Sequence, residues 1–274
     1  MSRTVCITGA GGLIGSYLFR SAPRGWQVHA MPRDTAQLRN LWKKLQPELV
    51  IHCAALSKAA ACEKHPELAQ RSNVDLTRQL CDLAGHARLI FFSTDLVFDG
   101  KKANYSETDV VHPLTVYGRT KADAEQVVLV NPQHTVIRVS LNAGVSPTGD
   151  RSFNEEIHNA WRRGETLKLF TDEFRAPIPA AVTARAVWEL VEKEATGLFH
   201  LGGTEKLSRW QIGELLAKRW KDVTPKMTPG SVRDYKGPSR SPDTSLDCRK
   251  IQKLLSFPLP RLSEWLNANP DEPI

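Results

Sequence analysis

No apolar run in this 274-residue chain approaches the roughly 20 residues needed to cross a bilayer, so no membrane-spanning helix and no membrane partner are expected. The first apolar stretch, VCIT, is too short for a secretory leader and flows into a glycine-rich turn. It reads as a first strand, and the chain is expected in the cytoplasm. Cys-x-x-Cys pairs are missing. The five cysteines, Cys6, Cys53, Cys62, Cys81 and Cys248, read as reduced thiols and not as a disulfide framework or a metal site. His52, His65 and His200 match no metal-ligand spacing and read as structural or surface histidines. Internal repeats and low-complexity tracts are absent. Long basic runs are absent too. The net charge is +7, but lysine and arginine are scattered, and the densest clusters, WRRGETLK and KRWKD, read as solvated helix faces. Nucleic acid is therefore not an expected partner, and a small polyanionic ligand accounts for the charge equally well.

What is present has an α/β rhythm. TVCIT (4–8), WQVHAM (26–31), ELVIHCAA (48–55), RLIFFS (88–93) and HTVIRVS (134–140) read as strands. Helical stretches separate them, including a long one from Pro66 to Ala84 and another from Pro113 to Leu129. Near-continuous apolar strands alternating with helices predict a doubly wound parallel sheet of the Rossmann type. After residue 141 the rhythm changes. AVTARAVWELVEKE and GLFHLGG predict a helix and strand returning to the main sheet, and SRWQIGELLAKRW predicts an amphipathic helix capped by Ser208. Residues 222–245 read as loop. The expected division is a dinucleotide-binding domain over 1–145, completed by about 172–202, and a smaller C-terminal α/β lobe for substrate from 146–171 and 203–274. Trp161, Trp188, Trp210, Trp220 and Trp265 fall in helix-like segments and read as core.

Gly9, Gly12 and Gly15 form G-x-x-G-x-x-G directly after the first strand and before a helix, in the segment Gly9-Ala10-Gly11-Gly12-Leu13-Ile14-Gly15. A pyrophosphate-binding turn needs glycine to turn sharply, to let backbone approach the phosphates and to pack the helix closely on the strand. The helix N-terminus then offers free N–H groups. At the end of the second strand stands Met31-Pro32-Arg33-Asp34. Arginine there suits the 2′-phosphate of NADP better than the ribose hydroxyl of NAD. NADP(H) is therefore the expected cofactor, with NAD(H) second, and Asp34 reads as the next helix N-cap.

Tyr117-Gly118-Arg119-Thr120-Lys121 places a tyrosine and a lysine one helical turn apart on one face. A tyrosine titrates at about 10, and a nearby ammonium lowers that value and makes it a usable acid–base group. Ser93-Thr94-Asp95 follows the fourth strand, at the sheet end where such folds bind ligands. A hydroxyl there can orient a carbonyl as hydride arrives.

Together TGAGGLIG, HCAA, Asn73-Val74, STDLVFDG (93–100) and YGRTK resemble the extended short-chain dehydrogenases/reductases. STDLVFDG, PLTVYGRTKADAE, VIRVS, FRAPIPA, GLFHLGG, LSRWQIGELLA and SPDTSLDCRKI are similar to the dTDP-4-dehydrorhamnose reductase family, whose usual block is S-T-D-Y-V-F-D-G. The resemblance implies Thr94, Tyr117 and Lys121 as catalytic residues. It implies Gly9, Gly11, Gly12, Leu13, Ile14, Gly15, Arg33, Ala54, Ala55, Leu56, Asn73, Ser93, Tyr117 and Lys121 along the cofactor. Thr94, Asp95, Val97, Arg175 and Arg240 are expected along the substrate, with Arg233 a further candidate. The implied reaction is NADPH-dependent reduction of a carbonyl, foremost in a 4-keto nucleotide sugar, by an oxidoreductase with a homodimer among its expected assemblies. The alternatives are a sugar-nucleotide epimerase and a non-catalytic NADP-binding regulatory subunit like that of methionine adenosyltransferase. Three departures fall on the substrate side: Leu96 replaces the usual tyrosine, SLNAG (140–144) replaces S-W-V-Y-G, and SKAAACE (57–63) lacks an Asp-Lys pair.

Overall fold

The structure, a computed structural model, describes residues 3–32 and 34–274. Its first half alternates strand and helix: β1 (Arg3–Thr8), α1 (Leu13–Arg20), β2 (Trp26–Ala30), α2 (Thr35–Leu45) and β3 (Leu49–His52). The predicted run from Pro66 to Ala84 is continuously helical but not uniform. After α3 (Ala59–Lys64) come α4 (Pro66–Gln70), a π-helical turn (Arg71–Asp75) and α5 (Leu76–Ala84). Next are β4 (Arg88–Thr94), a 3₁₀ turn (Asp95–Val97), α6 (Val116–Leu129) and β5 (Thr135–Val139). Asp34 caps α2 as the sequence predicts, accepting from the Gln37 N–H at 2.8 Å.

The second half holds β6 (Asn142–Ala143), α7 (Phe153–Arg162), β7 (Leu167–Phe170), β8 (Phe174–Arg175), β9 (Ile178–Pro179), α8 (Ala180–Glu192) and β10 (Gly197–Leu201). It ends with β11 (Leu207–Ser208), α9 (Arg209–Arg219), β12 (Met227–Gly230), α10 (Arg249–Gln252) and α11 (Leu262–Ala268).

Among the described residues the main sheet has six parallel strands in the order β2-β1-β3-β4-β5-β10. The expected doubly wound α/β fold is present, in its 2-1-3-4-5 strand order. The chain reverses direction across the sheet between β1 and β3, so the ligand crevice opens there, at the carboxyl ends of the strands. Period-2 alternation serves both faces. Val5, Ile7, Ile51, Ile90 and Phe92 pack with Leu18 of α1 and Val187 and Leu190 of α8. Cys6, Val50, Leu89 and Phe91 pack with Leu38, Leu80 and Ala124 of α2, α5 and α6.

A separate cluster of Trp161, Leu207, Ile212, Leu216, Leu262 and Leu266 forms the core of the C-terminal elements. Ile251 and Leu259, although late in the chain, pack into the main-sheet core. One expectation fails here: β12 lies inside 222–245, which reads as loop. Met227–Gly230 pairs in parallel with Leu167–Phe170. Its sequence, MTPG, has no strand pattern, and Pro229 can donate no ladder bond. Only the neighbouring β7 makes it a strand. Among the described residues no helix is long and apolar enough to cross a membrane.

Candidate active site

The ends of β1 and β3 meet at the glycine turn. Gly9 has φ +70°, and a Cβ on it would lie 2.7 Å from Ala54 N. A Cβ on Gly15 would lie 2.3 Å from Gly9 O. The fold itself therefore demands these two glycines, one for the turn and one for the close approach of α1. Gly11 differs. Its backbone is unstrained, and a Cβ there meets nothing within 4 Å. Packing gives no reason for glycine at 11, whereas close approach of a ligand to the backbone does. α1 begins at Gly12 with no side-chain cap and no acid in its first turn, so its N–H groups remain available to an anion. Leu13 is buried and Ile14 half-buried. Their backbone N–H groups are what they can offer a phosphate.

Behind the turn runs an ordered proton chain. Ala54 N–H donates to Thr8 Oγ1 at 3.2 Å, and Thr8 Oγ1 lies 2.6 Å from His52 Nδ1. His52 Nε2 lies 3.0 Å from Thr77 Oγ1, which donates to Asn73 O at 2.6 Å. Thr77 spends its proton on Asn73, so His52 carries hydrogen on Nε2 and accepts from Thr8 on Nδ1. Burial, and then the Lys121 charge, hold its pKa down at about 3. His52 is a neutral structural link, as the sequence reading expects.

The π-helical turn places Asn73 in the same network. Its side chain accepts from Leu56 N–H at 2.8 Å and donates to Leu56 O at 3.2 Å and Thr120 Oγ1 at 2.9 Å. Asn73 is fully buried. It shapes the Ala54–Leu56 rim and ties it to α6, and its side chain does not face the crevice. The extra residue of a π turn is what brings it round.

Thr94 ends β4 and caps the 3₁₀ turn. Its Oγ1 accepts from Leu96 N–H and donates to Asp95 Oδ1, both at 3.2 Å. α6 starts at Thr115, whose hydroxyl accepts from Gly118 N–H at 3.1 Å. Glu63 Oε1 accepts from Val116 N–H at 2.7 Å. The Leu96 carbonyl lies against Gly118, so the first turn of α6 packs on the 3₁₀ turn that follows Thr94. Burial, then the Asp95 charge, push the Tyr117 pKa above its ordinary value, so the phenol keeps its proton. Lys121, one turn on, is only 2% exposed. Its Nζ lies 3.8 Å from the Phe91 ring centre and makes no hydrogen bond to the described residues. Burial pulls its pKa down to about 7, against the opposing pull of Glu125. A buried ammonium with unused donors suits a ligand's hydroxyls.

Several predicted contacts sit elsewhere. Ser93 is buried and donates to Glu125 Oε1, inside the core. Glu125 is also forked by Arg138, with Nη2 to Oε2 at 2.7 Å and Nε to Oε1 at 3.0 Å. The strand pleat explains this: Thr94 faces the crevice, so Ser93 faces away. Val97 is fully buried with Phe98, Tyr105, Ala122 and Leu246, so it does not line the substrate side. Asp95 is buried as well. It accepts from Ser140 Oγ at 3.2 Å and Thr244 Oγ1 at 2.9 Å, and Arg175 Nε lies 3.7 Å away. Arg233 is exposed. Arg33 lies outside the described residues.

Arg175 and Arg240 converge, though not on open space. Both grip the fully buried Glu173, Arg175 Nη2 at 2.9 Å and Arg240 Nε at 2.6 Å, and Arg209 Nε joins at 3.3 Å. Arg240 remains partly exposed, its guanidinium 5.0 Å from the Phe170 ring centre. Glu173 escaped the sequence reading. Nothing in DEFRAP separates a buried ion-pair hub from a surface acid. Gly118, Thr120 and the Glu125–Arg138 pair escaped it too. A cavity of about 340 Å³ opens elsewhere, lined by Asn104, Lys206, Cys248 and Arg249, and none of Thr94, Tyr117 or Lys121 lines it.

Known proteins resemble this chain to different degrees. The chain is 29% identical to methionine adenosyltransferase 2 subunit beta of Xenopus laevis, over 92% of this chain and 83% of that one. It is 28% identical to the probable low-salt glycan biosynthesis reductase Agl14 of Haloferax volcanii, over 96% and 95%. A solved dTDP-4-dehydrorhamnose reductase of Bacillus anthracis, in complex with NADP, superposes with a TM-score of 0.90 at 21% identity, covering 98% of each chain. A hypothetical dTDP-4-dehydrorhamnose reductase of Sulfolobus tokodaii superposes at 0.83 with 27% identity, covering 95% and 97%. The family model for the RmlD substrate binding domain matches residues 3–271, and the chain belongs to that family.

Proposed function

We propose that this protein is an NADP(H)-dependent reductase of a carbonyl group, with a 4-keto nucleotide sugar as substrate. One observation supports it above the others: Tyr117 and Lys121 share a face of α6, whose first turn packs on the 3₁₀ turn that follows Thr94 at the carboxyl end of β4. The open backbone at Gly11 and the uncapped start of α1 suit a pyrophosphate. Lys121, with unspent donors, suits a ribose. NADPH, when bound, supplies hydride. Tyr117 gives the proton to the carbonyl oxygen, and Lys121 favours that loss by its charge. Arg240, partly exposed at the edge of the Glu173 cluster, is the side chain best placed to meet a substrate diphosphate. A reductase named for glycan biosynthesis among the relatives, and a neighbour solved with NADP, support the same reading. Cytoplasmic action and a homodimer go with it, and cell fractionation and sizing test them.

The test is NADPH oxidation with dTDP-4-keto-6-deoxy-L-mannose, comparing the native chain with Tyr117→Phe. Turnover that collapses in the variant supports the reading. NADPH binding without turnover counts against this substrate. An epimerase would return the cofactor unchanged and show no net oxidation.

A second reading has its own support. Several relatives at 26–29% identity are named methionine adenosyltransferase 2 subunit beta. On that reading the chain holds the dinucleotide and docks on a methionine adenosyltransferase without chemistry of its own. Failure to reduce any ketosugar, with retention of a methionine adenosyltransferase on immobilised protein, would favour it.

A further inference from the structure

The crevice at the glycine turn has two walls. One is the start of α1, with its uncapped N–H groups at Gly12. The other is the rim that follows β3, where Ala54 lies against Gly9 and Asn73 holds the Leu56 backbone. One segment reaches both walls. Just past β6, Val145 N–H donates to Tyr17 Oη of α1 at 3.2 Å. The bare Gly144 leaves room for that phenol, whose oxygen would lie 2.9 Å from a Cβ there. Farther on, in the first turn of α7, Glu156 Oε1 lies 3.8 Å from Lys58 Nζ. Lys58 stands on the rim, just beyond Leu56, and opens α3. Its charge also reaches Asp150 of the same segment. Residues 144–156 therefore run from one wall of the crevice to the other.

A dinucleotide at this turn brings a pyrophosphate, whose charge backbone N–H groups answer only in part. Of the cations near it, Lys121 is buried against Phe91. Arg151 is engaged within its own segment, by Asp150 at 3.1 Å and Thr148 Oγ1 at 3.2 Å. Lys58 differs from both. Its side chain is 64% exposed, and 3.8 Å from Glu156 is beyond hydrogen-bond length. An exposed pair so spaced contributes little, so Lys58 gives it up easily. A charge-assisted hydrogen bond to a phosphate oxygen is the stronger contact. We propose that Lys58 is the side chain that neutralises the pyrophosphate of the dinucleotide, and that Glu156 and Asp150 compete with the cofactor for it. This deepens the reductase reading and rests on a dinucleotide lying along the glycine turn.

Two consequences follow from the chemistry. The pyrophosphate is common to NADPH and NADH, so Lys58 strengthens both alike and leaves the choice between them to other residues. Glu156 and Asp150 act against binding, because each holds the lysine that the phosphates need. Lys58 lies in SKAAACE (57–63), where the chain departs from its family, so the family pattern does not point to it.

The test measures binding and needs no substrate. NADPH and NADH are titrated onto the full chain at low ionic strength, and the nicotinamide fluorescence gives each Kd. Lys58→Gln should raise both by about tenfold and leave their ratio unchanged. An unchanged Kd overturns the proposal. So does a loss confined to NADPH, which would place Lys58 on the 2′-phosphate. Glu156→Gln should tighten NADPH by about twofold, and weaker or unchanged binding overturns the proposal. Removing any acid near an anion favours that anion, so the two changes are also combined. In the Lys58→Gln background Glu156→Gln should have no effect, and an equal gain in both backgrounds overturns the proposal. Both side chains are exposed, so the fold should persist, and circular dichroism checks it. If Lys58→Gln does not fold, Glu156→Gln decides alone. A native chain that binds neither dinucleotide overturns this inference and the cofactor reading together. Binding without turnover defeats the reductase reading and leaves this inference standing.

Discussion

The backbone carbonyl of Leu96 lies so close to Gly118 that a Cβ on that glycine would sit 2.4 Å from the oxygen. Gly118 stands next to Tyr117, and Leu96 is two residues past Thr94. The missing side chain is what lets α6 press its first turn against the 3₁₀ turn. Gly118→Ala is expected to push α6 outward. A displacement of about 1 Å costs on the order of 100-fold in rate, so turnover should fall about that far while the fold persists. Steady-state kinetics beside a melting curve would check it, and a variant with native turnover would refute it.

Two glycines of the phosphate turn should separate cleanly. Gly15→Ala drives a Cβ into Gly9 O, whereas Gly11→Ala meets open space. The first should lower the melting temperature without any ligand. The second should leave that temperature unchanged and shrink the rise produced by NADPH. Thermal shift with and without NADPH distinguishes them.

Lys121 is held at about 7 in the folded chain against 10.5 ordinarily. The unfolded chain therefore binds a proton between pH 7 and 10.5 that the folded chain does not. Stability rises with pH across that window and is lower below it. Lys121→Met should remove this slope and raise the melting temperature at pH 7, while abolishing activity. Melting curves between pH 6 and 10 for both proteins test the sign.

Glu173 gives a slope of the same sign at lower pH, but there the folded chain favours the charged form. Burial opposes its ionisation, but Arg209, Arg175 and Arg240 outweigh burial and hold its pKa at about 2 against 4.5 ordinarily. A depressed carboxylate contributes stability above its unfolded value and loses it as pH falls. The native chain should lose stability between pH 4.5 and 2. Glu173→Gln should flatten that limb and be weaker at neutral pH, where three arginines lose their counter-charge. Urea unfolding from pH 3 to 7 reads both effects.

The Glu125–Arg138 pair ties α6 to β5, with side chains 0% and 4% exposed. Removing one partner of a buried pair leaves the other uncompensated and costs about 3–5 kcal/mol. Arg138→Met should therefore destabilise by about that amount, measured by urea unfolding. A loss under 1 kcal/mol would show that Ser93 and solvent suffice for Glu125.

What the sequence alone determined was local and periodic. Near-continuous apolar runs and the helical stretches between them placed the strands of the main sheet, and Asp34 and Ser208 marked helix starts by the chemistry of their own side chains. Gly9 and Gly15 could be read because a turn and a close helix leave no room for Cβ, and Tyr117 and Lys121 because four residues make one helical turn. Tertiary structure alone decided which way polar side chains point and with whom they pair. Ser93 and Thr94 are adjacent and chemically alike, yet the pleat sends one to Glu125 and leaves the other at the crevice. Asp95 meets Thr244, 149 residues away, and Glu173 gathers Arg209 and Arg240 from distant segments. A hydroxyl or a carboxylate carries no local signal of its eventual partner, because that partner is set by which elements pack together. Residues 227–230 show the same for backbone. Their own sequence argues against a strand, and they form one because β7 lies alongside.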